Sequence, residues 1–146
     1  MNNIKLGSWS ELGEGAARVR NAVFVIEQRV PKEMELDAAD HSALHVLICN
    51  ALGVPLATGR LLQHAPGVGR IGRMAVMKEV RGAGLGRGML LALVKAAGQR
   101  GDHEVMLHAQ ASAKGFYDRL GFVVRGEPFE EAGIDHIEMV LELPKI

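Results

Sequence analysis

Residues 80–88 read Val80-Arg81-Gly82-Ala83-Gly84-Leu85-Gly86-Arg87-Gly88, four glycines set between a strand-like run that includes Met74-Ala75-Val76 and a helix-like run from Leu85. A helix begins with N–H groups that lack an intrahelical acceptor, and its dipole places about half a positive charge there. Glycines at 82, 84, 86 and 88 keep side chains away from those N–H groups, while Arg81 and Arg87 add positive charge beside them. Such a junction suits a pyrophosphate; the plain alternative is a flexible glycine turn.

Spacing narrows the choice of anion. A dinucleotide fingerprint, G-x-G-x-x-G, places Arg87 in its last position when started at Gly82 and Met89 when started at Gly84, so it fails twice. The triphosphate loop needs Gly-Lys followed by Ser or Thr, which occurs nowhere in the chain. The pattern that fits is R-x-x-G-x-G, from Arg81 to Gly86.

Outward from the loop, Leu85, Met89, Ala92, Leu93 and Ala96 mark one face of a helix over Leu85–Gln99. Upstream, Ile4–Trp9 reads as a strand, and Ser8 with Glu11 three residues on is a capping box for a helix running towards Gln28 and broken before Pro31. Strands are predicted over Ala43–Cys49, Leu56–Leu62 and Gly69–Met77, with Gly53-Val54-Pro55 turning the first pair. Downstream come a strand at Glu104–Ala109, a helix at Ser112–Leu120 and strands at Phe122–Arg125 and Ile134–Leu143. Strands first and alternation later predict an α/β (α+β) fold with a mixed sheet, in one domain over residues 1–146.

Composition agrees with a small globular domain. The 146 residues are 48% hydrophobic and carry no formal net charge, which gives no global reason to expect nucleic acid or an anionic membrane as partner. One cysteine, Cys49, precludes an internal disulfide, and there is no targeting segment or spanning apolar run, so a cytoplasmic location is expected. Six histidines raise the question of a metal, but His41 and His45 fall in a loop and a strand without a cysteine cluster, so none is expected.

A second stretch, Ala113-Lys114-Gly115-Phe116-Tyr117-Asp118-Arg119-Leu120-Gly121-Phe122, has the form A-x-x-F-Y-x-x-x-G-F. Together with the R-x-x-G-x-G loop it resembles the GCN5-related N-acetyltransferase (GNAT) superfamily. Residues 23–31, Val-Phe-Val-Ile-Glu-Gln-Arg-Val-Pro, and 133–139, Gly-Ile-Asp-His-Ile-Glu-Met, are similar to its ElaA/YjcF-like branch. The resemblance implies a central mixed sheet of roughly six or seven strands flanked by helices, with acyl-CoA between splayed strands and acetyl transfer to an amine. It assigns CoA contacts to Met74, Ala75, Val76, the loop Arg81, Gly82, Ala83, Gly84, Leu85, Gly86 and Arg87, and Gln110 and Tyr117. A backbone N–H of Met74–Val76 is implied as donor to the thioester oxygen. Gln110 stands where many members have asparagine.

Tyr117 is the only tyrosine, and the resemblance makes it the acid that protonates the leaving thiolate; on periodicity alone it is an aromatic at the core's edge. Freeing the lone pair of a lysine-like amine at pH 7 costs about 4–5 kcal/mol, so the reaction also needs a proton acceptor. Glu27, Glu33, Glu35, Asp37, His45, His108 and His136 are chemically able, and Glu33 or a water chain is the expectation. Glu27, Glu33, His45 and His136 are expected to face the substrate, and the acidic run Glu33–Asp40 to attract a cationic small-molecule or protein amine. Two other functions fit the same loop: a CoA-binding sensor or partner module without turnover, and a nucleotide-binding domain.

Overall fold

The computed structural model describes residues 2–35 and 37–144. In chain order the elements are β1 (Asn3–Gly7), α1 (Trp9–Arg20), α2 (Lys32–Glu35), β2 (Leu44–Cys49), β3 (Pro55–Ala65), β4 (Val68–Val76), α3 (Leu85–Gln99), β5 (Glu104–Gln110), α4 (Lys114–Arg119), β6 (Val123–Val124), β7 (Phe129–Glu131) and β8 (Ile134–Glu142). The described strands form one eight-stranded sheet in the order β1-β2-β3-β4-β5-β8-β6, with β7 paired to β8. Every pairing is antiparallel except β4 with β5, which α3 connects as a crossover.

Side-chain alternation assigns the two faces of the sheet. Val46, Leu61, Ile71, Val105 and Leu107 point towards α3, where Met89, Leu90, Leu93 and Ala97 are fully buried against them. The intervening residues of the same strands, among them Leu47 and Arg60, point to the α1 side. There Gly15 of α1 approaches so closely that a Cβ would stand 2.7 Å from Leu47 Cδ2.

Helix α3 occupies the predicted residues. Helix α1 starts as predicted, with the Glu11 carboxylate 2.9 Å from the Ser8 N–H, but turns into a π-helix over Asn21–Glu27. The wider turn falls on Val23, Val25 and Ile26, whose branched side chains crowd a regular α-helix. The predicted helix at Ser112–Leu120 is a 3₁₀ turn followed by the shorter α4. Strand β7 was absent from the sequence reading; Ala132 and Gly133, at φ 52° and 76°, make the two-residue turn that folds it onto β8.

Two features open the sheet. The parallel pairing of β4 with β5 runs from Val68 opposite Glu104 to Ile71 opposite Leu107 and goes no further, although β4 continues to Val76 and β5 to Gln110. On the other side of β4, Arg60 pairs with Gly72 but Thr58 with Ala75, so β4 carries an extra residue there. Arg73, inside that bulge, sits at φ 51°. A bulge sharpens the local twist and turns residues 74–76 away from β5. Gly59 faces it because a Cβ there would stand 2.5 Å from Met74 Sδ.

Candidate active site

The gap between the diverging ends of β4 and β5 is a cleft of about 720 Å³ that joins the two faces of the sheet. Phe116, Tyr117 and Leu107 line it from the α3 side, and Phe24, Gln28, Arg70, His108 and His136 from the α1 side. A volume of this size suits a small substrate.

At one end lie the residues expected to hold CoA. Met74, Ala75 and Val76 line the cleft along the edge of β4 that β5 leaves free. Gly84 is the N-cap of α3 at φ 81°, and Gly82 has φ 87°. A side chain at Gly82, Gly84 or Gly88 would meet no protein atom within 4 Å, while Gly86 faces Phe116 at 3.8 Å. The left-handed backbone accounts for glycine at 82 and 84. At 88 neither φ nor packing demands it, and the space above the helix start is open to a ligand. The N–H groups that open α3 therefore meet the requirement for a pyrophosphate cradle.

Arg81 is more constrained than its sequence position implied. Both of its terminal nitrogens bind the Glu27 carboxylate, at 2.7 and 2.6 Å, and its Nε donates to the Val76 carbonyl at 3.0 Å. Glu27, expected to face substrate, is instead the partner of Arg81, whose hydrogen bonds hold its carboxyl below the usual range. Gln110 lines the cleft and donates to the Gln28 amide oxygen at 3.2 Å.

Tyr117 is half-buried, with its ring edge-on to Phe116 and Phe122 at 5.0 and 5.8 Å between centroids. Burial pushes its phenol above the usual value, so it keeps its proton at neutral pH. Among the described residues its hydroxyl has no hydrogen-bond partner.

The α1-side end is built from four strands: Arg70 on β4, His108 on β5, Glu131 on β7 and His136 on β8. His136 is buried, and its Nδ1–H donates to the Ile134 carbonyl at 2.7 Å. That bond leaves a lone pair on Nε2, which lies 3.7 Å from the Glu131 carboxylate. His108 is fixed the other way round. Arg70 donates to its Nδ1 at 3.0 Å, directing Nε2 to Glu138 at 3.4 Å. Phe129 separates the imidazoles, edge-on to His108 and stacked on His136. Sequence reading missed Glu131 and Arg70; the Ala132-Gly133 turn is the signal that would have placed Glu131 in a hairpin.

Several expected site residues lie elsewhere. Glu33 is exposed on α2, outside the cleft lining. His45 is buried on the α1 side of β2, 5.0 Å from the Trp9 ring, and donates from Nε2 to the Asp40 carbonyl at 2.9 Å. Burial keeps its imidazole below the usual pKa.

Three of the four acids in the run Glu33–Asp40 are paired with arginines. Asp40 accepts two bonds from Arg20, at 2.8 and 3.1 Å, and a third from Arg60 at 2.9 Å. Glu35 binds Arg20, and Asp37 binds Arg60 in a two-pronged pair at 2.7 and 2.9 Å with Arg73 at 3.2 Å. Three carboxylates thus meet three guanidiniums, and Arg20, Glu35, Asp40 and Arg60 are all buried. Leu36, within the run, lies outside the described residues. Among the described residues no cluster of three or more His, Cys, Asp or Glu is arranged to hold a metal, and no helix is long and apolar enough to cross a membrane.

The chain thus combines a parallel strand pair that splays beside a glycine-capped helix with a half-buried tyrosine at the opening. The family model for the acetyltransferase (GNAT) domain matches residues 11–143. The uncharacterised N-acetyltransferase YjcF of Bacillus subtilis is 37% identical over 84% of this chain and 86% of its own length. In three dimensions, Escherichia coli ElaA (29% identity) superposes with a TM-score of 0.87 over 97% of this chain and all of its own. An acyl-CoA N-acyltransferase of Pseudomonas aeruginosa, 31% identical, does so at 0.86 over 96% of this chain and 99% of its own. The chain belongs to the GNAT acetyltransferase family.

Proposed function

We propose that the protein transfers an acetyl group from acetyl-CoA to a primary amine by direct attack on the thioester. The observation that carries this reading is the cleft itself: a phenol enters from one face of the sheet and an imidazole with an open lone pair from the other. The thioester is the activated acyl group; binding and proton transfer fall to the protein. Residues 84–87 and Arg87 would take the pyrophosphate, the free edge of Met74–Val76 the amides of the pantetheine arm, and Gln110 a neighbouring polar contact. Arg81 braces the loop through Glu27 rather than facing the phosphates alone.

On the amine side, His136 is the proton acceptor. Its Nε2 takes the ammonium proton, and Glu131 stands opposite the imidazolium that results. The amine nitrogen then bonds to the thioester carbon, whose oxygen gains charge beside the unpaired β4 backbone. The carbonyl re-forms as the C–S bond breaks, the thiolate receives the Tyr117 proton, and the second proton shed by the new amide nitrogen passes to solvent, from which the Tyr117 phenol is restored. His108 is unsuited to the first step, since both ring nitrogens are engaged. The lone Cys49, free and buried, fits a reducing cytoplasm.

The test is thiol release from acetyl-CoA with a panel of primary amines. Tyr117→Phe and His136→Asn should each lower kcat by roughly 10²–10³-fold with acetyl-CoA affinity held within about twofold. Tight acetyl-CoA binding with no turnover on any amine would favour a sensor module instead.

A further inference from the structure

We infer that the acceptor is an amino acid or similar amine bearing a free carboxylate, and that Arg70 holds that carboxylate; the inference rests on the acyl-transfer reading above. The cleft lining contains three arginines, and two have carboxylate partners within the protein: Arg81 with Glu27, and Arg73 with Asp37. Arg70 differs. It is half-buried, and its single hydrogen bond among the described residues goes from NH2 to the His108 imidazole. A guanidinium carries five N–H donors in a flat fork, so four remain for a ligand. No carboxylate of the described residues forms an ion pair with it, and a ligand carboxylate would satisfy the fork with two parallel bonds.

Position supports the assignment. Arg70 pairs with Met106 one step before the β4–β5 ladder ends, on the α1-side face that carries His108 and His136. The opposite charge in this part of the cleft is Glu131, which lies 3.6 Å from His108 and 3.7 Å from His136. An ammonium directed to His136 and Glu131, with a carboxylate on Arg70, matches both charges. A diamine would set its second ammonium against Arg70. A dianionic phosphate would find one guanidinium uncommitted, because Arg73 and Arg81 already answer Asp37 and Glu27. Glu35, Asp37 and Asp40 of the acidic run are already answered by arginines, and Glu33 lies outside the cleft lining.

Matched acceptors decide the matter. Thiol release would be followed with glycine, longer ω-amino acids up to 6-aminohexanoate, aspartate and glutamate, each against its carboxamide, and with 1,4-diaminobutane. The best carboxylate acceptor should exceed its amide by roughly tenfold or more in kcat/KM, mainly through KM. Arg70→Gln should bring that ratio to about one without weakening acetyl-CoA, and Arg70→Lys should restore part of it. A preference for the amides or the diamine, or an equal loss on both members of each pair in Arg70→Gln, overturns the inference. If no amine releases thiol, the acyl-transfer reading fails by itself, and calorimetry with the same acids and amides on the acetyl-CoA-loaded protein takes over. Binding of acids alone, abolished by Arg70→Gln, supports the site; no binding of the acids refutes it.

Discussion

On the proposed reading, the two ends of the cleft would recognise their ligands by different means. At the donor end the contacts come from backbone: the free edge of Met74–Val76 and the N–H groups that open α3 at Gly84. At the acceptor end they would come from side chains on four strands, Arg70, His108, Glu131 and His136, next to a buried charge cluster around Arg20 whose Glu35 also lines the cleft. Backbone recognition tolerates changes of side chain as long as φ and free space are preserved. A set of side chains from separate strands holds its geometry only while every packing partner stays in place.

The largest effect should fall on that charge cluster. Arg20→Met strands Glu35 and Asp40 in the interior without their principal cation, and stability to urea should drop by about 3–5 kcal/mol. If Arg20→Met costs less than about 1 kcal/mol, the acceptor wall does not depend on buried charge and the contrast fails.

A pair of glycine variants tests the donor end at smaller amplitude. Gly84→Val forces a branched side chain to φ 81° and should cost about 1–2 kcal/mol of stability together with a loss of acetyl-CoA affinity. Gly88→Ala, where φ is ordinary and the space open, should leave stability unchanged or raise it by up to about 1 kcal/mol, so that any weakening of acetyl-CoA reports the ligand alone. Equal stability losses in both variants would show that protein packing, not the ligand, requires the glycines.

The smallest effect is one of pH. Hydrogen bonds from Arg60 hold the Asp37 carboxyl at about 2, below the usual 3.8. A carboxyl depressed on folding stabilises the native state above its unfolded pKa, and that contribution disappears as the pH falls from 3.8 towards 2. Asp37→Asn should flatten this part of the acid-unfolding curve. Because the Asp37 side chain is 37% exposed, solvent screening keeps its effect at neutral pH below about 1 kcal/mol. An unchanged acid limb would place the titrating group elsewhere.

What was legible in the sequence follows the same division. Local rules bounded α3, the Ser8–Glu11 helix start and β5, because glycine placement, capping and alternation are short-range properties. The charge cluster beside the cleft depends on partnerships across long stretches of chain: Arg60 reaches back 23 residues to Asp37, and Arg20 forward 20 to Asp40. A run of acids looks alike in sequence whether solvated or paired, which is why residues 33–40 read as an attractor. Strand β7, three residues long, was too short for alternation to register, and Glu131 was overlooked with it. The π turn escaped because a hydrophobic pattern of helical period does not distinguish it from an α-helix.

The bridge between Glu27 and Arg81 spans 54 residues of sequence and fastens the phosphate loop to the wide helical turn beside the acceptor. Any pull that donor phosphates exert on Arg81 is felt by Glu27. If that pull alters the amine's affinity, thermodynamic reciprocity requires the amine to alter the donor's affinity by the same factor. Both partners of this pair are exposed, with 40% and 37% of their side-chain surface in contact with solvent, so dissolved salt weakens the coupling. With such a coupling, ionic strength would set how far binding of one substrate prepares the protein for the other.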